Sequence, residues 1–77
     1  MTEKVIRLLR DVRPYERIDI DTELIKSGIL DSLAILSYIA QLEDEYNIII
    51  PDEEVIASNF SSVNIIVKLI EKCIKEE

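Results

Sequence analysis

The residues best able to do chemistry fall in one stretch, Ser27-Gly28-Ile29-Leu30-Asp31-Ser32-Leu33. It holds the chain's only glycine, followed by two bulky apolar residues, an acid and a serine, and it opens the longest amphipathic run. Gly28 can take a left-handed turn that side chains resist. Asp31 is of the right type for a helix N-cap, because a carboxylate there accepts from the first free N–H groups. Ser32 then stands on the first turn, exposed at the positive end of the helix dipole. An anion attached to its hydroxyl would find free N–H donors nearby. Ser32 is therefore read as an attachment point, and the rest of the chain as its mount.

Little else offers chemistry. The 77 residues include no histidine, the commonest general base, and no Gly-rich phosphate loop. One cysteine, Cys73, can form neither an internal disulfide nor a metal cluster. With no nucleophile–base pair and no metal site, neither catalytic residues nor an enzyme is expected. The net charge of −7 argues against nucleic acid or an anionic membrane as partner. That charge is unevenly spread: residues 1–17 carry five basic and three acidic side chains, residues 18–77 four basic and thirteen acidic. Whatever docks on the second part is expected to be basic. No apolar run approaches membrane-spanning length and the N-terminal stretch has no signal-peptide core, so a cytoplasmic chain without membrane insertion is expected.

The elements that must position Ser32 follow from apolar spacing. Val5, Leu8, Leu9 and Val12, with Ile6 on the flank, predict a helix over 2–13, stopped by Pro14. Residues 14–30 form a long connector punctuated by Ile18, Ile20, Leu24, Ile25, Ile29 and Leu30, with Asp21 placed to cap a single turn. A second helix over 32–46 sets Ile35, Ile39, Leu42 and Tyr46 on its core face, flanked by Leu36 and Tyr38. Leu33, Ser37, Ala40, Gln41 and Asp44 fall opposite, and beside Ser32 the apolar Leu33 and Ala40 suggest a small docking patch for a partner protein. Asn47 is a suitable left-handed stop. Ile48-Ile49-Ile50, too short and without a second strand, reads as a buried connector. A short helix begins at Pro51-Asp52-Glu53-Glu54, carries Val55 and Ile56, and fades by Asn59-Phe60. Capped by Ser61 or Ser62, the last helix runs to residue 75 with a core stripe of Val63, Ile66, Val67, Ile70 and Ile74, Leu69 and Cys73 at its edges. Cys73 reads as a small hydrophobe rather than a reactive thiol. The expected fold is all-α: a small bundle of three longer helices and one short one.

Taken together, these segments resemble the acyl and peptidyl carrier proteins. The resemblance rests on Asp21-Thr22-Glu23-Leu24, on Ser27-Gly28-Ile29-Leu30-Asp31-Ser32-Leu33 and the helix after it, on Ile50-Pro51-Asp52-Glu53-Glu54, and on the final helix from Ser62. It spans nearly the whole chain in element order and loop proportions, and implies one carrier domain over 1–77 with a four-helix fold. It also implies that Ser32 receives 4′-phosphopantetheine from coenzyme A, with Asp31 as the adjacent acid that helps the transferase and its Mg²⁺ engage. On that arm, cargo would be held as a thioester and passed between enzymes. The implied partners are a phosphopantetheinyl transferase, an adenylating or acyl-transferring loading enzyme and a downstream synthase or transferase, meeting a monomeric, stand-alone carrier at Leu33, Ser37, Ala40, Asp44, Val55 and Ile56. The acids Glu43, Asp44, Asp52, Glu53 and Glu54 would steer basic partner surfaces.

Cargo stays open between fatty acyl, polyketide and amino acid. Fatty-acid carriers usually place acids just after the serine, whereas here Ala34 and Ser37 occupy that exposed region and Glu43, Asp44 and Glu45 come only at the helix end. This, with the Asn59-Phe60-Ser61-Ser62 approach to the last helix, is more similar to carriers of amino acids, including the D-alanyl carrier protein of teichoic acid modification. Ile50-Pro51-Asp52-Glu53-Glu54 is more similar to the fatty-acid type. A sheltered acyl chain would enter between the second helix and the later elements, lined by Tyr38, Leu42, Ile50, Val55 and Val67, although a filled core is the expectation without cargo. The alternative from a different class is an unmodified helical interaction module, for which Ser32 is only a helix N-terminus.

Overall fold

Why each helix forms where it does is clearest at its ends. In the computed structural model, which describes residues 1–75, α1 spans Thr2–Val12, α2 Ser32–Tyr46 and α3 Val63–Lys75. Pro14 cannot continue α1, and Arg13 leaves it at φ −134° and ψ 76°. Asn47, left-handed at φ 53°, stops α2 while its N–H returns to the Glu43 carbonyl. The N-cap of α3 is Ser62, whose hydroxyl accepts from the Ile65 N–H at 3.4 Å. No strand occurs among the described residues. The predicted short helix is instead two separate 3-10 turns, Asp52–Glu54 and Ala57–Phe60. The break falls at Val55 and Ile56, both in non-helical conformations, and two β-branched residues in succession are poor helix formers.

The helix α1 packs against both α2 and α3, and α3 also rests on the Ala57–Phe60 turn. One core joins them: Val5 and Leu9 from α1, Tyr38 and Leu42 from α2, Phe60, and Val63, Ile66 and Ile70 from α3. The α1 stripe lies where its spacing put it. The other two helices are rotated from expectation. In α2 the buried residues are Ala34, Tyr38, Ile39 and Leu42, with Ile35 and Tyr46 half-buried and Leu36 62% exposed. Ala34, expected on the open side, is only 8% exposed. The cause is Tyr38: its ring goes fully inside because its hydroxyl donates to the Val5 carbonyl at 3.1 Å, satisfying the one polar atom it carries. Burial also pushes the Tyr38 phenol well above its ordinary value. In α3 the stripe is Val63, Ile66, Leu69, Ile70 and Cys73, while Ile74 is half-open in the final turn. Cys73 is buried, as a small hydrophobe should be. Ile48 and Ile50 are buried but Ile49 faces outward, the alternation of extended backbone rather than a wholly buried connector.

The long connector 13–31 is packed by its own side chains. Ile18, Leu24, Ile29 and Leu30 all enter the core. Its backbone is tied to the start of α3 by Leu24 N–H to the Ser61 carbonyl (2.9 Å) and Asn64 N–H to the Ile20 carbonyl (3.2 Å). Asp21 does not cap a turn, because its carboxylate accepts from the Asn64 side-chain amide at 2.9 Å. The local turn is held instead by the Thr22 hydroxyl, which accepts from the Asp19 N–H at 2.8 Å.

Candidate functional site

The approach to Ser32 is built one residue at a time. Ser27 N–H donates to the Glu23 carbonyl and Gly28 N–H to the Ile25 carbonyl, closing a tight turn. Gly28 ends it at φ +82°, a conformation natural only to glycine. The Leu30 N–H then returns to the Leu24 carbonyl at 2.9 Å, so buried Leu30 and Leu24 brace the turn from both sides. Asp31 is extended (φ −109°, ψ −177°), and its Oδ1 accepts from the Ala34 N–H at 2.8 Å. This is the N-cap expected of it, a contact that typically contributes about 1 kcal/mol. Its other oxygen, Oδ2, accepts from Arg13 Nη2 at 3.2 Å, and Arg13 Nε donates to the Ile29 carbonyl at 3.0 Å.

Ser32 is the first residue of α2 and is exposed. Its hydroxyl makes no hydrogen bond among the described residues. With Asp31 taken by Ala34, the N–H groups of Ser32 and Leu33 also remain without acceptors, so the positive end of the helix is open beside the hydroxyl.

The surface around Ser32 has two parts. On one side of α2, Leu33 (79% exposed), Ser37, Ala40 and Asp44 line up in the open, as their spacing predicts. On the other, a groove of about 350 Å³ runs from Ser32 past Ile35 and Leu36 to Val55, Ile56, Ala57 and Phe60. Val55 and Ile56 are among the residues expected to meet partners. The spacing sets Ile35 on the core face of α2 and Leu36 on its flank, and no sequence signal points to Ala57. Of the five residues expected to line an acyl-chain space, only Val55 borders this groove. Tyr38, Leu42 and Ile50 are core residues, and Val67 packs against them.

The far wall of the groove is fastened by one cluster. Lys72 Nζ donates to Glu54 Oε1 at 2.8 Å, and the Asn59 amide donates to Glu54 Oε2 at 3.1 Å and to the Glu54 carbonyl at 2.8 Å. The Lys72 hydrogen bond and charge, helped by Asn59, hold the Glu54 carboxyl below its ordinary value. Glu43 is also engaged, its Oε2 accepting from the Ile50 N–H at 2.9 Å. Two of the five acids expected to face partners are thus internal fasteners, and Asp44, Asp52 and Glu53 are the exposed ones without an ion pair among the described residues. Likewise Glu45 pairs with Lys4 at 2.7 Å, and the hydrogen bond and charge of Lys4 lower its carboxyl.

No group of three or more His, Cys, Asp or Glu among the described residues could hold a metal ion, and no helix there is long and apolar enough to cross a membrane. No curated protein and no solved structure matches the chain. A family model does: the phosphopantetheine attachment site model aligns with residues 3–70, taking in α1 from its second residue, the connector, the Ser32 turn, α2, both 3-10 turns and the first eight residues of α3. That match, over residues 3–70 of a 77-residue chain, makes the chain a member of the phosphopantetheine attachment family, whose domains carry 4′-phosphopantetheine covalently.

Proposed function

We propose that Ser32 is the attachment residue and that the chain carries cargo between enzymes. The observation that carries this is the state of Ser32: an exposed hydroxyl with no hydrogen-bond partner among the described residues, at a helix start whose first N–H groups are open, beside a shallow apolar groove. Those features fit the group. A phosphodiester on Ser32 Oγ would lie at the positive end of α2, and the groove offers apolar surface to whatever hangs from it. When bound, the arm supplies a terminal thiol that holds cargo as a thioester. In loading, Ser32 Oγ forms the new P–O bond, the pyrophosphate of coenzyme A breaks, adenosine 3′,5′-bisphosphate leaves and the serine proton passes to a base on the transferase. Asp31 holds the serine at the helix start and leaves the leading N–H groups of Ser32 and Leu33 free.

In this reading the chain does no catalysis of its own, because the chemistry belongs to the arm and to partner enzymes. The partners are a phosphopantetheinyl transferase, an adenylating or acyl-transferring loading enzyme and a downstream synthase or transferase, acting in the cytoplasm. They would dock along Leu33, Ser37, Ala40 and Asp44 and over Val55 and Ile56. Asp44, Asp52 and Glu53 would steer basic surfaces toward that face, raising on-rates more than affinity. The uncharged first turns of that face support an amino-acyl cargo, as in the D-alanyl carriers, over a fatty acyl one.

The test is intact mass after incubation with coenzyme A, Mg²⁺ and a broad-specificity phosphopantetheinyl transferase. The wild type should gain one arm and Ser32→Ala none. No gain in the wild type with a transferase that loads a control carrier would leave the unmodified interaction module instead.

A further inference from the structure

Residues 29, 30 and 31, the last three before Ser32, are held by two partners outside α2. Leu30 is held by the Leu24 carbonyl and by burial. Ile29 and Asp31 are held by the same side chain, Arg13, sixteen and eighteen residues earlier in the chain. Arg13 is the residue at which α1 ends: its N–H caps back to the Leu9 carbonyl at 2.8 Å, and Pro14 turns the backbone away. Its side chain crosses to the far end of the connector. Nε meets the Ile29 carbonyl at 3.0 Å and Nη2 meets Asp31 Oδ2 at 3.2 Å.

We infer that Arg13 is a positioning residue for the loading of Ser32, a role that rests on the reading of Ser32 as the attachment residue. The Asp31 carboxylate has one oxygen on the Ala34 N–H and the other on Arg13. The cap alone fixes one point of that carboxylate, and Arg13 fixes the second and so its plane. Because the same guanidinium also holds the Ile29 carbonyl, the Ile29–Leu30 peptide and the Asp31 side chain are both referenced to the end of α1. Ser32 follows directly. Its hydroxyl is thereby aimed by a helix that lies outside the serine's own turn and groove. A planar guanidinium with donors at fixed angles can span a carbonyl and a carboxylate at once, whereas an ammonium is a point charge without that geometry. The Arg13 and Asp31 side chains are 39% and 59% exposed, so as an ion pair they contribute little to stability. The contact acts on geometry, and its effect belongs in the rate of transfer.

The experiment compares wild type, Arg13→Gln, Arg13→Lys and Lys4→Gln by the rate of transfer from coenzyme A, with thermal midpoints measured alongside. Lys4 also ties α1 to α2, through Glu45, but away from the serine. The expected result is a fall of about tenfold in kcat for both Arg13 variants, with KM for the carrier near wild type, since a misaimed nucleophile loses rate without losing docking. Lys4→Gln should load at the wild-type rate with a similar thermal midpoint to Arg13→Gln. Wild-type kcat in Arg13→Gln, full rescue by lysine, or an equal slowing in Lys4→Gln would each overturn the inference while leaving Ser32 as the attachment residue. A wild type that takes no arm would overturn both.

Discussion

Two segments lead into helices beside Ser32, and they are held in different ways. The connector 13–31 is anchored by four core side chains, by backbone hydrogen bonds to the start of α3 and by the two Arg13 contacts. The segment 51–60 has one buried side chain, Phe60, and a half-buried Val55 packed against the core, and is otherwise tied to the helices by Glu54 meeting Lys72. One is a mount, with its fastening spread over many independent points. The other is a wall hung mainly from one ring and one polar cluster. A tether needs a fixed origin, while a surface that meets different partners has less need of one. If Ser32 carries the arm, its hydroxyl and the groove wall divide along that line.

The comparison is most sharply tested where each segment is anchored. Phe60→Ala should cost about 3–5 kcal/mol and Leu24→Ala about 2–5 kcal/mol by denaturant unfolding. The informative difference is in amide exchange. Loss of Phe60 should release the amides of 52–60 ahead of global unfolding, whereas loss of Leu24 should weaken the chain without freeing the connector alone. Equal, global loss of protection in both variants would break the distinction between mount and wall.

Smaller effects probe the mount itself. Gly28→Ala should cost about 1–2 kcal/mol through its left-handed backbone alone, since an added Cβ meets nothing within 4 Å. Thermal unfolding would show it, and a cost well above that range would mean that the turn is constrained by more than its φ. Asp31→Ala removes the α2 cap and should cost about 1 kcal/mol by the same measurement, with Asp31→Asn keeping most of it. If asparagine were as costly as alanine, the charge toward Arg13 rather than the cap would be the main contribution.

The smallest effect belongs to the wall. The folded Glu54 carboxyl lies below its ordinary value of 4.5, chiefly because of Lys72. Its ionised form therefore adds stability that is fully present above the unfolded value and is lost as pH falls through the folded one. The thermal midpoint of Glu54→Gln should lie slightly below wild type at neutral pH, and the gap should close in acid. A gap that stayed constant with pH would assign Glu54 a packing role instead.

How much of this was legible in the sequence varied from helix to helix, for a physical reason. In α1 the apolar and charged residues separate cleanly around the helix, so one face can be buried and its spacing named it. The start of α2 was equally plain. Gly28, Asp31 and Asn47 act through their own backbone angles and nearest N–H groups, and each does what its type predicts. These local rules set the helix ends and exposed Ser32 without reference to the rest of the chain.

The rotation of α2 was beyond such rules. Leu33, Ala34, Ile35, Leu36, Tyr38, Ile39, Ala40 and Leu42 offer apolar surface on nearly every side, so several faces would serve. The choice came from α1, whose Val5 carbonyl accepts the Tyr38 hydroxyl and lets that ring go inside, which carries Leu36 out into the groove and Ala34 in. The same holds for the contacts among Arg13, Ile29 and Asp31, between Asp21 and Asn64, and between Glu54 and Lys72. Each joins residues far apart in the chain, where a charged side chain alone does not say which acceptor it will reach. Local residue types are enough to place the starts of α1, α2 and α3 and to leave Ser32 open at one of them. Which faces meet, and so what surrounds that serine, depends on partners far apart in the chain.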